Sequence, residues 1–458
     1  NEASITGESL SVDKSLQDKV YVGSFIENGV VEIRTEKIGN STVLGKIIKT
    51  VHTAQQNKGD SQKMADAFSS YFLTIILAVC FLVGFSTRDI MRVMTILVIA
   101  CPCALVLATP TAVIASVGNA AKRGIILKGG NAIENFAKVT TICLDKTGTL
   151  TKGKPEVVAM KVFGEENEML QALGIAEKNS QHPIGKAIIE YLIYEKDIDI
   201  TSLPDGDFEM LFGRGVRVEN EGVICEVSNR KCLEDMPEKE AELMQFLDDQ
   251  ESLGRTAMVI CKNRKIMGAI AVADILRQNV PETIKKLKGM GISKIIMLTG
   301  DNENTARTIC QEAGVDEFHA NLLPEDKLNY LKELQKQGQK VAMVGDGVND
   351  APALALANVG IAMGAMGTDV AVETADIALM SDNIQTLTFS YALSKRTYHI
   401  IRQNIIIFAC FVNVIGVTLS GLGFLNPIIG AIVHNASSIF VVLNSSTMLT
   451  WGKNSKEM

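Results

Sequence analysis

Three short apolar runs in the middle of this 458-residue chain are each followed by an acidic residue. They read TTICLDKTGTLT (140–151), KIIMLTGDN (294–302) and KVAMVGDGVND (340–350). A run of four or five apolar residues that stops at Gly or Asp predicts a buried parallel strand whose carboxyl end carries functional groups. Helical patterns such as 281–290 and 303–313 fall between the runs. The sequence therefore predicts a doubly wound α/β domain with acids at its strand ends.

The acids at these strand ends suit phosphoryl transfer. Asp145 precedes the letters KTG, and its carboxylate could attack a phosphoryl group to form an acyl phosphate. Asp346 and Asp350 could hold Mg²⁺, which takes oxygen ligands. Lys327, together with backbone N–H groups, could neutralise the transferring oxygens. A lone aspartate is more often a turn residue, but acids at three strand ends with a lysine favour a phosphoryl-transfer site.

Long runs without charge predict membrane-spanning helices. The runs 67–87, 93–121 and 403–452 contain no Asp, Glu, Lys or Arg. Because one helical span needs about 20 apolar residues, the third run is long enough for two. Buried helices of a soluble protein are the alternative, which the length of the runs disfavours. The sequence thus predicts four spans, at 66–87, 93–121, 403–423 and 427–450.

Charge indicates where the chain resides. Residues 123–400 form a large polar segment between the second and third spans, and basic residues flank the span ends that we place in the cytoplasm with it. These are Lys122, Arg123, Lys128, Lys395, Arg396, Arg402 and Lys453. Nine cysteines, mostly single within apolar runs, indicate a reducing compartment. We therefore expect catalytic domains in the cytoplasm, spans in a bacterial plasma membrane, and, at a net charge of −7, no nucleic-acid partner.

The second predicted span contains Cys101-Pro102-Cys103. In an unbroken helix the two thiols would point about 200° apart and could not face one ion. Pro102 removes the hydrogen bond to the carbonyl of Val98 and interrupts the helix, which lets both sulfurs turn to one site. Thiolates favour soft or borderline ions such as Cu(I), Zn²⁺ or Cd²⁺. The motif therefore predicts a metal site, with a purely structural kink as the alternative.

Several motifs together resemble one protein family. DKTGTLT with GDGVNDAPAL resembles the P-type ATPases, which pump cations through an aspartyl-phosphate intermediate, and Cys-Pro-Cys in a span resembles their heavy-metal branch. The motifs are DKTGTLT (145–151), GDGVNDAPAL (345–354), TGES (6–9), HPIG (182–185) and TGDN (299–302). The resemblance extends over essentially the whole chain. It implies a fragment that lacks the first half of one domain and several upstream spans.

The resemblance also implies a domain organisation. The fold is that of a multi-domain membrane protein with α-helical transmembrane spans and a haloacid-dehalogenase-like α/β phosphorylation domain. An α+β nucleotide-binding domain is inserted in it, and part of a β-rich actuator domain precedes the spans. The implied boundaries are 1–55 for the actuator part, 122–153 and 271–385 for the phosphorylation domain, and 154–270 for the nucleotide-binding domain.

Roles for single residues follow from the same resemblance. Asp145 becomes the phosphorylated nucleophile, and Glu8 positions the water that hydrolyses the aspartyl phosphate. The residues expected around the phosphoryl group are Lys146, Thr147, Thr299, Gly300, Asp301 and Lys327. The residues expected to hold Mg²⁺ are Asp145, Thr147, Asp346, Asn349 and Asp350.

The inserted segment matches the adenine-site pattern of the heavy-metal branch, namely an acid, a His-Pro, a G-x-G and an Asn. The matching residues are Glu177, His182, Gly213, Gly215 and Asn229. They imply ATP as the nucleotide. Gln181 and Ser228 depart from the pattern, since an acid and a glycine often stand there. A histidine at a surface helix start is the alternative for His182 taken alone.

The last two spans bear on the identity of the metal. The ligands expected for the transported ion are Cys101, Cys103, Asn413, His434 and Ser438. His434 takes the place of the methionine that copper pumps of this branch tend to carry. The uncharged run excludes the Asp and Lys of zinc and cadmium pumps, so the sequence departs from both patterns. An ionisable residue in a span is costly and usually functional, and imidazole suits divalent ions.

The expected function is ATP-driven export of a heavy-metal cation, with Zn²⁺, Cd²⁺ or Mn²⁺ slightly favoured. Export of Cu(I) is the alternative. A membrane-anchored phosphatase of the same α/β superfamily is the rival from another class, but it would need neither TGES nor the inserted domain. A cytosolic metal chaperone is a candidate partner.

Overall fold

A computed structural model describes most of the chain. The described residues are 14–20, 24, 26, 30–36, 38–39, 42, 60–101, 103–211, 214–235, 241–346, 350–364 and 373–452. Three predicted site residues, Glu8, Gly213 and Asn349, lie outside them, as does Pro102.

The secondary-structure elements are numbered in chain order. The α-helices of the described residues are α1 (Asp60–Thr87), α2 (Ile90–Ile99), α3 (Cys103–Ala121), α4 (Gly130–Ala137), α5 (Glu166–Glu177), α6 (Pro183–Tyr194), α7 (Ala241–Ser252), α8 (Val280–Gly289), α9 (Glu303–Ala313), α10 (Pro324–Lys336), α11 (Ala351–Leu356), α12 (Gln385–Gln403), α13 (Val412–Gly421) and α14 (Pro427–Ser446). The strands are β1 (Ile125–Leu127), β2 (Thr141–Asp145), β3 (Thr151–Val162), β4 (Asp207–Leu211), β5 (Gly215–Asn220), β6 (Val223–Ser228), β7 (Thr256–Lys262), β8 (Lys265–Leu276), β9 (Lys294–Leu298), β10 (Glu317–His319), β11 (Val341–Gly345), β12 (Val359–Ala362) and β13 (Ile377–Leu379). A π-helical segment, Asn404–Phe411, joins α12 to α13.

The chain forms two compact units. The first comprises Asn1–Cys143, Lys285–Lys294 and Leu328–Met458, and the second comprises Leu144–Ile284 and Ile295–Lys327. The boundary runs through β2, which begins in the first unit and ends in the second.

The sheet of the first unit has the strand order β1–β13–β12–β11, with the start of β2 next to β11. Strands β11, β12 and β13 are parallel, and β1 pairs antiparallel with β13. Every residue of β11 and β12 is buried, which explains why these strands are continuous apolar runs. The buried parallel strand predicted in 340–350 is therefore confirmed.

The second unit contains the end of β2 beside β9, which pairs in parallel with β10. It also contains a six-stranded antiparallel sheet in the order β3–β8–β7–β6–β5–β4. Strands β3 and β8 are 12 residues long and pair with each other. They lead directly from the end of β2 into the inserted segment and back out of it.

Apolar clusters cover both faces of the antiparallel sheet. On one face α5 and α6 pack against buried sheet residues such as Val227 and Ile270. On the other face α7 and the short 3₁₀ turn Arg230–Asp235 contribute to a second cluster with β7 and β8. The inserted segment is thus a three-layered α+β body with its own core.

Three helical runs among the described residues are long and apolar enough to cross a membrane. They are Ile90–Ala121, Gln385–Gly421 and Pro427–Leu449, with 32, 37 and 23 residues. A shorter apolar stretch, Tyr71–Thr87, lies where the sequence predicts the first of four spans. The run that contains 403–423 begins much earlier than the span, because α12 is continuous with it.

The helix that contains the cysteines is interrupted between Ile99 and Cys103, where the sequence predicts a break. Two glycines allow neighbouring helices to approach this point. A side chain on Gly416 or Gly430 would collide with Ile99, since its Cβ would lie 2.6 or 3.0 Å from that side chain. Small residues permit close helix packing in membranes, so α13 and α14 both pack against the end of α2.

Four polar side chains connect α3, the π-helical segment and α14. Thr111 Oγ1 lies 2.9 Å from Ser445 Oγ, and Asn404 Nδ2 donates to the same oxygen at 3.0 Å. Asn444 Nδ2 donates to Asn404 Oδ1 at 2.8 Å. Polar groups without partners are costly in lipid, and these hydrogen bonds therefore stabilise one alignment of the three helices.

Candidate functional site

The predicted nucleophile lies at the carboxyl end of β2. Asp145 is buried, and Lys327 Nζ donates to its Oδ1 at 2.5 Å. Lys327 belongs to the first turn of α10. Both side chains are only 11% exposed, so the attraction between the two charges is stronger than it would be in water.

The turn after the nucleophile depends on a glycine. Thr147 has φ −73° and ψ 127°, and Gly148 follows with φ +71°, a conformation that glycine adopts without steric cost. Thr147 is exposed. The turn thus directs the chain away from the end of β2 and leaves the hydroxyl of Thr147 accessible.

A second lysine pairs with the acid that follows β9. Lys146 Nζ lies 2.6 Å from Asp301 Oδ2. The loop at this strand end is fixed by Thr299, whose buried Oγ1 accepts the N–H of Asp301 at 3.1 Å. A Cβ on Gly300 would lie 3.3 Å from the carbonyl of Leu322. The structure therefore brings Lys146, Thr299, Gly300 and Asp301 together in the unit that holds Asp145 and Lys327.

Two further residues at the end of β8 belong to this site, although the sequence analysis did not identify them. Asp274 accepts from Thr151 Oγ1 at 2.5 Å and from the N–H of Gly153 at 2.9 Å. Burial raises the pKa of Asp274, and the Thr151 hydroxyl and Lys146, 4.0 Å away, oppose this effect.

Arg277 contacts the turn that follows Asp145. Its guanidinium donates to the carbonyl of Gly148 in that turn at 2.8 Å. The signal for both residues was an acid and an arginine at the end of the apolar run IMGAIAVADILR (266–277). That run is otherwise typical of core.

Two acids of the first unit lie at the end of β11. Asp346 is half-buried directly after the strand, and Asp350 is buried at the start of α11. A Cβ on Gly345 would lie 2.7 Å from Asp350 Oδ2, so the carboxylate occupies the space that the glycine leaves. Two carboxylates within one turn are oxygen donors of the kind that Mg²⁺ prefers, and this donor set fits that ion.

In the inserted segment, the predicted acid and histidine lie on consecutive helices. Glu177 ends α5 and is 2% exposed. Burial raises the pKa of its carboxyl, and the hydroxyl of Ser180 lowers it in part. His182 caps α6, where its Nδ1 accepts the N–H of Ile184 at 3.3 Å. That bond requires the tautomer with the proton on Nε2, which presents an N–H donor from an exposed ring.

The predicted glycine and asparagine lie where β5 begins and β6 ends. Gly215 has φ +153°, and a Cβ there would collide with the carbonyl of Val227. Asn229 donates its N–H to the carbonyl of Arg214 at 2.7 Å. Helix α5 packs against β6. Glu177 at the end of α5 and Asn229 directly after β6 therefore belong to two elements that are in contact. Gly213 lies outside the described residues.

Cys101, Cys103 and His434 form a cluster inside the helical bundle. Their ligand atoms all lie within 4.8 Å of one another, and the three residues are half-buried. The Cα atoms of the two cysteines are 5.6 Å apart, and their sulfurs are in contact. Around a tetrahedral Zn²⁺ the donor atoms lie about 3.5–3.8 Å apart, which small side-chain movements of this cluster would provide. It is the one group of three such side chains found within the described part of the chain.

All five predicted ligands of the transported ion stay predictions, and two of them, Asn413 and Ser438, are not part of this cluster. Asn413 is buried on α13. Ser438 lies one turn after His434 on α14, and its Oγ donates to the carbonyl of His434 at 3.3 Å.

Known proteins are similar to this chain in sequence. Residues 139–358 match the haloacid dehalogenase-like hydrolases, and residues 1–52 match the P-type ATPase actuator domain. A probable cadmium-transporting ATPase of Listeria monocytogenes is 39% identical over 472 residues, which cover 98% of this chain and 65% of the relative. A probable copper-importing P-type ATPase A of Enterococcus hirae is 40% identical over 458 residues, which cover 98% of this chain and 62% of the relative. The chain thus spans less than two thirds of these curated relatives.

A solved structure is similar over a larger share of its length. The crystal structure of a zinc-transporting PIB-type ATPase in the E2.Pi state is 33% identical, with a TM-score of 0.76. The match covers 98% of this chain and 74% of that one.

Proposed function

The chain belongs to the heavy-metal, or PIB-type, branch of the P-type ATPases, and we propose that it exports a heavy-metal cation across a membrane at the expense of ATP. The observation that carries the proposal is the cluster of Cys101, Cys103 and His434 inside helices that are long enough to span a membrane. The same chain holds Asp145 against Lys327 at a strand end. A metal site and a phosphate acceptor in one chain are the two parts that such a pump needs.

Phosphoryl transfer begins with Asp145. One of its carboxylate oxygens attacks the γ-phosphorus of ATP, a new O–P bond forms, and the bond to the β-phosphate oxygen breaks with its electron pair going to ADP. Lys327 and Lys146 place positive charge where negative charge develops, and Asp301 orients Lys146. The proposed Mg²⁺ ligands are Asp145, Thr147, Asp346, Asn349 and Asp350, and bound Mg²⁺ would further neutralise the phosphate charge. Glu8 is the proposed residue that positions water for hydrolysis of the aspartyl phosphate.

ATP binds to the inserted segment in this proposal. The Nε2–H of His182 and the side chain of Asn229 offer polar contacts to the base, and Gly215 is proposed as one glycine of this site because it lets β5 and β6 approach each other closely next to Asn229. The carboxyl group of Glu177 lies close to the start of α6 and is proposed as a hydrogen-bond acceptor for the nucleotide. Gly213 is proposed as the other glycine of this site.

The cluster of Cys101, Cys103 and His434 is more compatible with a divalent metal ion than with Cu(I). Two thiolates alone satisfy Cu(I), whereas an added imidazole suits Zn²⁺ and Cd²⁺. Mn²⁺, which prefers oxygen ligands, is kept as a further divalent candidate. Asn413 and Ser438 are proposed as additional oxygen ligands. Relatives carry names for both cadmium and copper transport, so Cu(I) export is the second candidate. We place the spans in a bacterial plasma membrane with the catalytic domains in the cytoplasm, and a cytosolic chaperone as the metal donor.

The test is ATP hydrolysis by the full-length protein across a panel of Zn²⁺, Cd²⁺, Mn²⁺ and Cu(I), for the wild type and His434→Met. We expect divalent ions to stimulate the wild type and the variant to shift its preference toward Cu(I). Stimulation by Cu(I) alone, or an unchanged profile in the variant, would contradict the divalent assignment. Hydrolysis of small phosphate esters without any phosphoenzyme from ATP would instead identify a phosphatase.

A further inference from the structure

The inserted segment contains two buried cysteines in one apolar cluster of its core. Cys232 lies in the 3₁₀ turn Arg230–Asp235, and Cys261 lies on β7. They are 5% and 2% exposed and share one apolar cluster with Leu243 and Val259. The 3₁₀ turn packs against β7, so the two cysteines lie on elements that are in contact.

Interaction with the side chain of Cys261 lowers the pKa of Cys232 to about 7, burial opposes this effect, and the hydroxyl of Ser228 assists it. The same contact, together with burial, raises the pKa of Cys261 well above its usual range. Cys232 is therefore the more acidic thiol of the two. A thiolate beside a second thiol is the arrangement in which a disulfide forms readily.

We propose that Cys232 and Cys261 are a modification site, a reversible disulfide formed by hydroperoxides that weakens ATP binding. The Cys232 thiolate attacks one oxygen of hydrogen peroxide, the O–O bond breaks, and Cys232 becomes a sulfenic acid while hydroxide leaves. The Cys261 sulfur then attacks the Cys232 sulfur, an S–S bond forms, and the sulfenic oxygen leaves as water with the Cys261 proton. Two thiols and one peroxide thus give one disulfide and two waters. Hydrogen peroxide is small enough to reach the pair through local opening of the domain.

The disulfide would act on the nucleotide site through Asn229. The N–H of Cys232 donates to the carbonyl of Asn229 at 3.1 Å, and the N–H of Lys231 donates to its Oδ1 at 3.1 Å. A disulfide draws two sulfurs to about 2.05 Å, which pulls the 3₁₀ turn toward β7. Asn229 moves with the turn, because these hydrogen bonds connect them. This last step rests on the proposed role of Asn229 in binding ATP.

A matched control lies on the other face of the same sheet. Cys225 is 1% exposed on β6 and belongs to the cluster beneath α5 and α6. It is as buried as the proposed pair but packs in a different layer. A general effect of oxidising core cysteines would involve it equally.

The experiment uses the full chain, reduced and then treated with hydrogen peroxide, with free thiols blocked before digestion. Trypsin cleavage yields CLEDMPEK (232–239) and TAMVICK (256–262), each with a single cysteine. We expect these peptides to be disulfide-linked in the wild type and in Cys225→Ser, and unlinked after treatment with dithiothreitol. ATP should bind about fivefold more weakly after oxidation, with recovery on reduction and no change in Cys232→Ser or Cys261→Ser.

The outcomes separate the two claims. Absence of the linked peptides in oxidised wild type overturns the site, and this reading requires no variant to fold. Linked peptides with unchanged ATP affinity overturn the effect on nucleotide binding. A reduced wild type that binds no ATP contradicts the proposed function instead, because peptide mapping still reports the disulfide.

Discussion

Lys327 Nζ lies 2.5 Å from Asp145 Oδ1 in a contact that is almost closed to water. In the proposed mechanism the lysine offsets the charge of the aspartate before ATP binds. The same ammonium would then be close to the oxygens of the incoming phosphoryl group. The roles of the two residues can therefore be distinguished experimentally. Loss of Asp145 should prevent formation of the phosphoenzyme, and loss of Lys327 should slow it.

Asp145→Asn should abolish the phosphoenzyme and leave ATP binding near that of the wild type, because the amide cannot attack phosphorus but keeps the shape of the side chain. Labelling from γ-labelled ATP followed by acid quench measures the first, and equilibrium binding measures the second. Asp205→Asn, at a side chain 77% exposed in the same unit, is the control and should label normally. Label retained by the Asp145 variant would refute its role as nucleophile.

Lys327→Ala should slow phosphorylation by about 10²–10³, the usual cost of losing one donor to a transition-state oxygen. Rapid-quench measurement of the phosphorylation rate gives this number. Lys332→Ala changes an exposed lysine of the same helix and should leave the rate within about twofold of the wild type. Equal rates in the two variants would remove Lys327 from the mechanism.

Cys101→Ser and Cys103→Ser should each eliminate metal-stimulated ATP hydrolysis, because a hydroxyl is a poor ligand for thiophilic ions. Phosphorylation from inorganic phosphate should survive, since it does not need the transported ion. Cys410→Ser changes another cysteine in the same group of helices and serves as the comparison. Full metal stimulation in both serine variants would mean that the thiols do not bind the ion.

Glu177→Gln should weaken ATP binding but stabilise the inserted segment at neutral pH. Burial raises the pKa of this carboxyl in the folded state, so the folded protein binds the proton more tightly than the unfolded chain does. Stability therefore falls as pH rises from the unfolded pKa, about 4.3, to the raised folded pKa, and the loss persists above it. The glutamine cannot ionise and avoids this loss.

Hydrogen exchange of the α5 amides at pH 5 and pH 8 measures the effect. We expect the wild type to lose more protection than Glu177→Gln between these values. Glu190→Gln, at an exposed position on α6, should behave like the wild type. An identical pH response in wild type and Glu177→Gln would show that the buried carboxyl does not limit stability.

Local patterns in the sequence predicted the elements that carry the nucleophile. The strands before Asp145, Thr299 and Asp346 are short apolar runs that end at Gly, Thr or Asp, and β2, β9 and β11 occupy them. The helical patterns at 281–290 and 303–313 correspond to α8 and α9. These features succeed because each is determined by residues close together in the chain.

Contacts between distant segments were not predictable in this way. Asp274 follows Thr151 by more than a hundred residues, yet the two are hydrogen-bonded, and no local period marks either residue. Thr111, Asn404 and Ser445 are hidden for a similar reason, since hydroxyl and amide groups within apolar runs give no periodic signal. Their pairing depends on how the helices pack, and glycines such as Gly416 and Gly430 permit close packing elsewhere in the same bundle.

The helical run from Gln385 to Gly421 contains 37 residues without a loop, which makes it about 55 Å long. At its start, Tyr391 packs edge-on against Phe136 of α4 at 5.2 Å between ring centres. Near its far end it carries Asn413. Because no loop interrupts this run, a rotation of the helix at Tyr391 would also rotate it at Asn413. The π-helical segment between them has wider turns than an α-helix. A change between π-helical and α-helical winding there would alter this rotation without interrupting the helix.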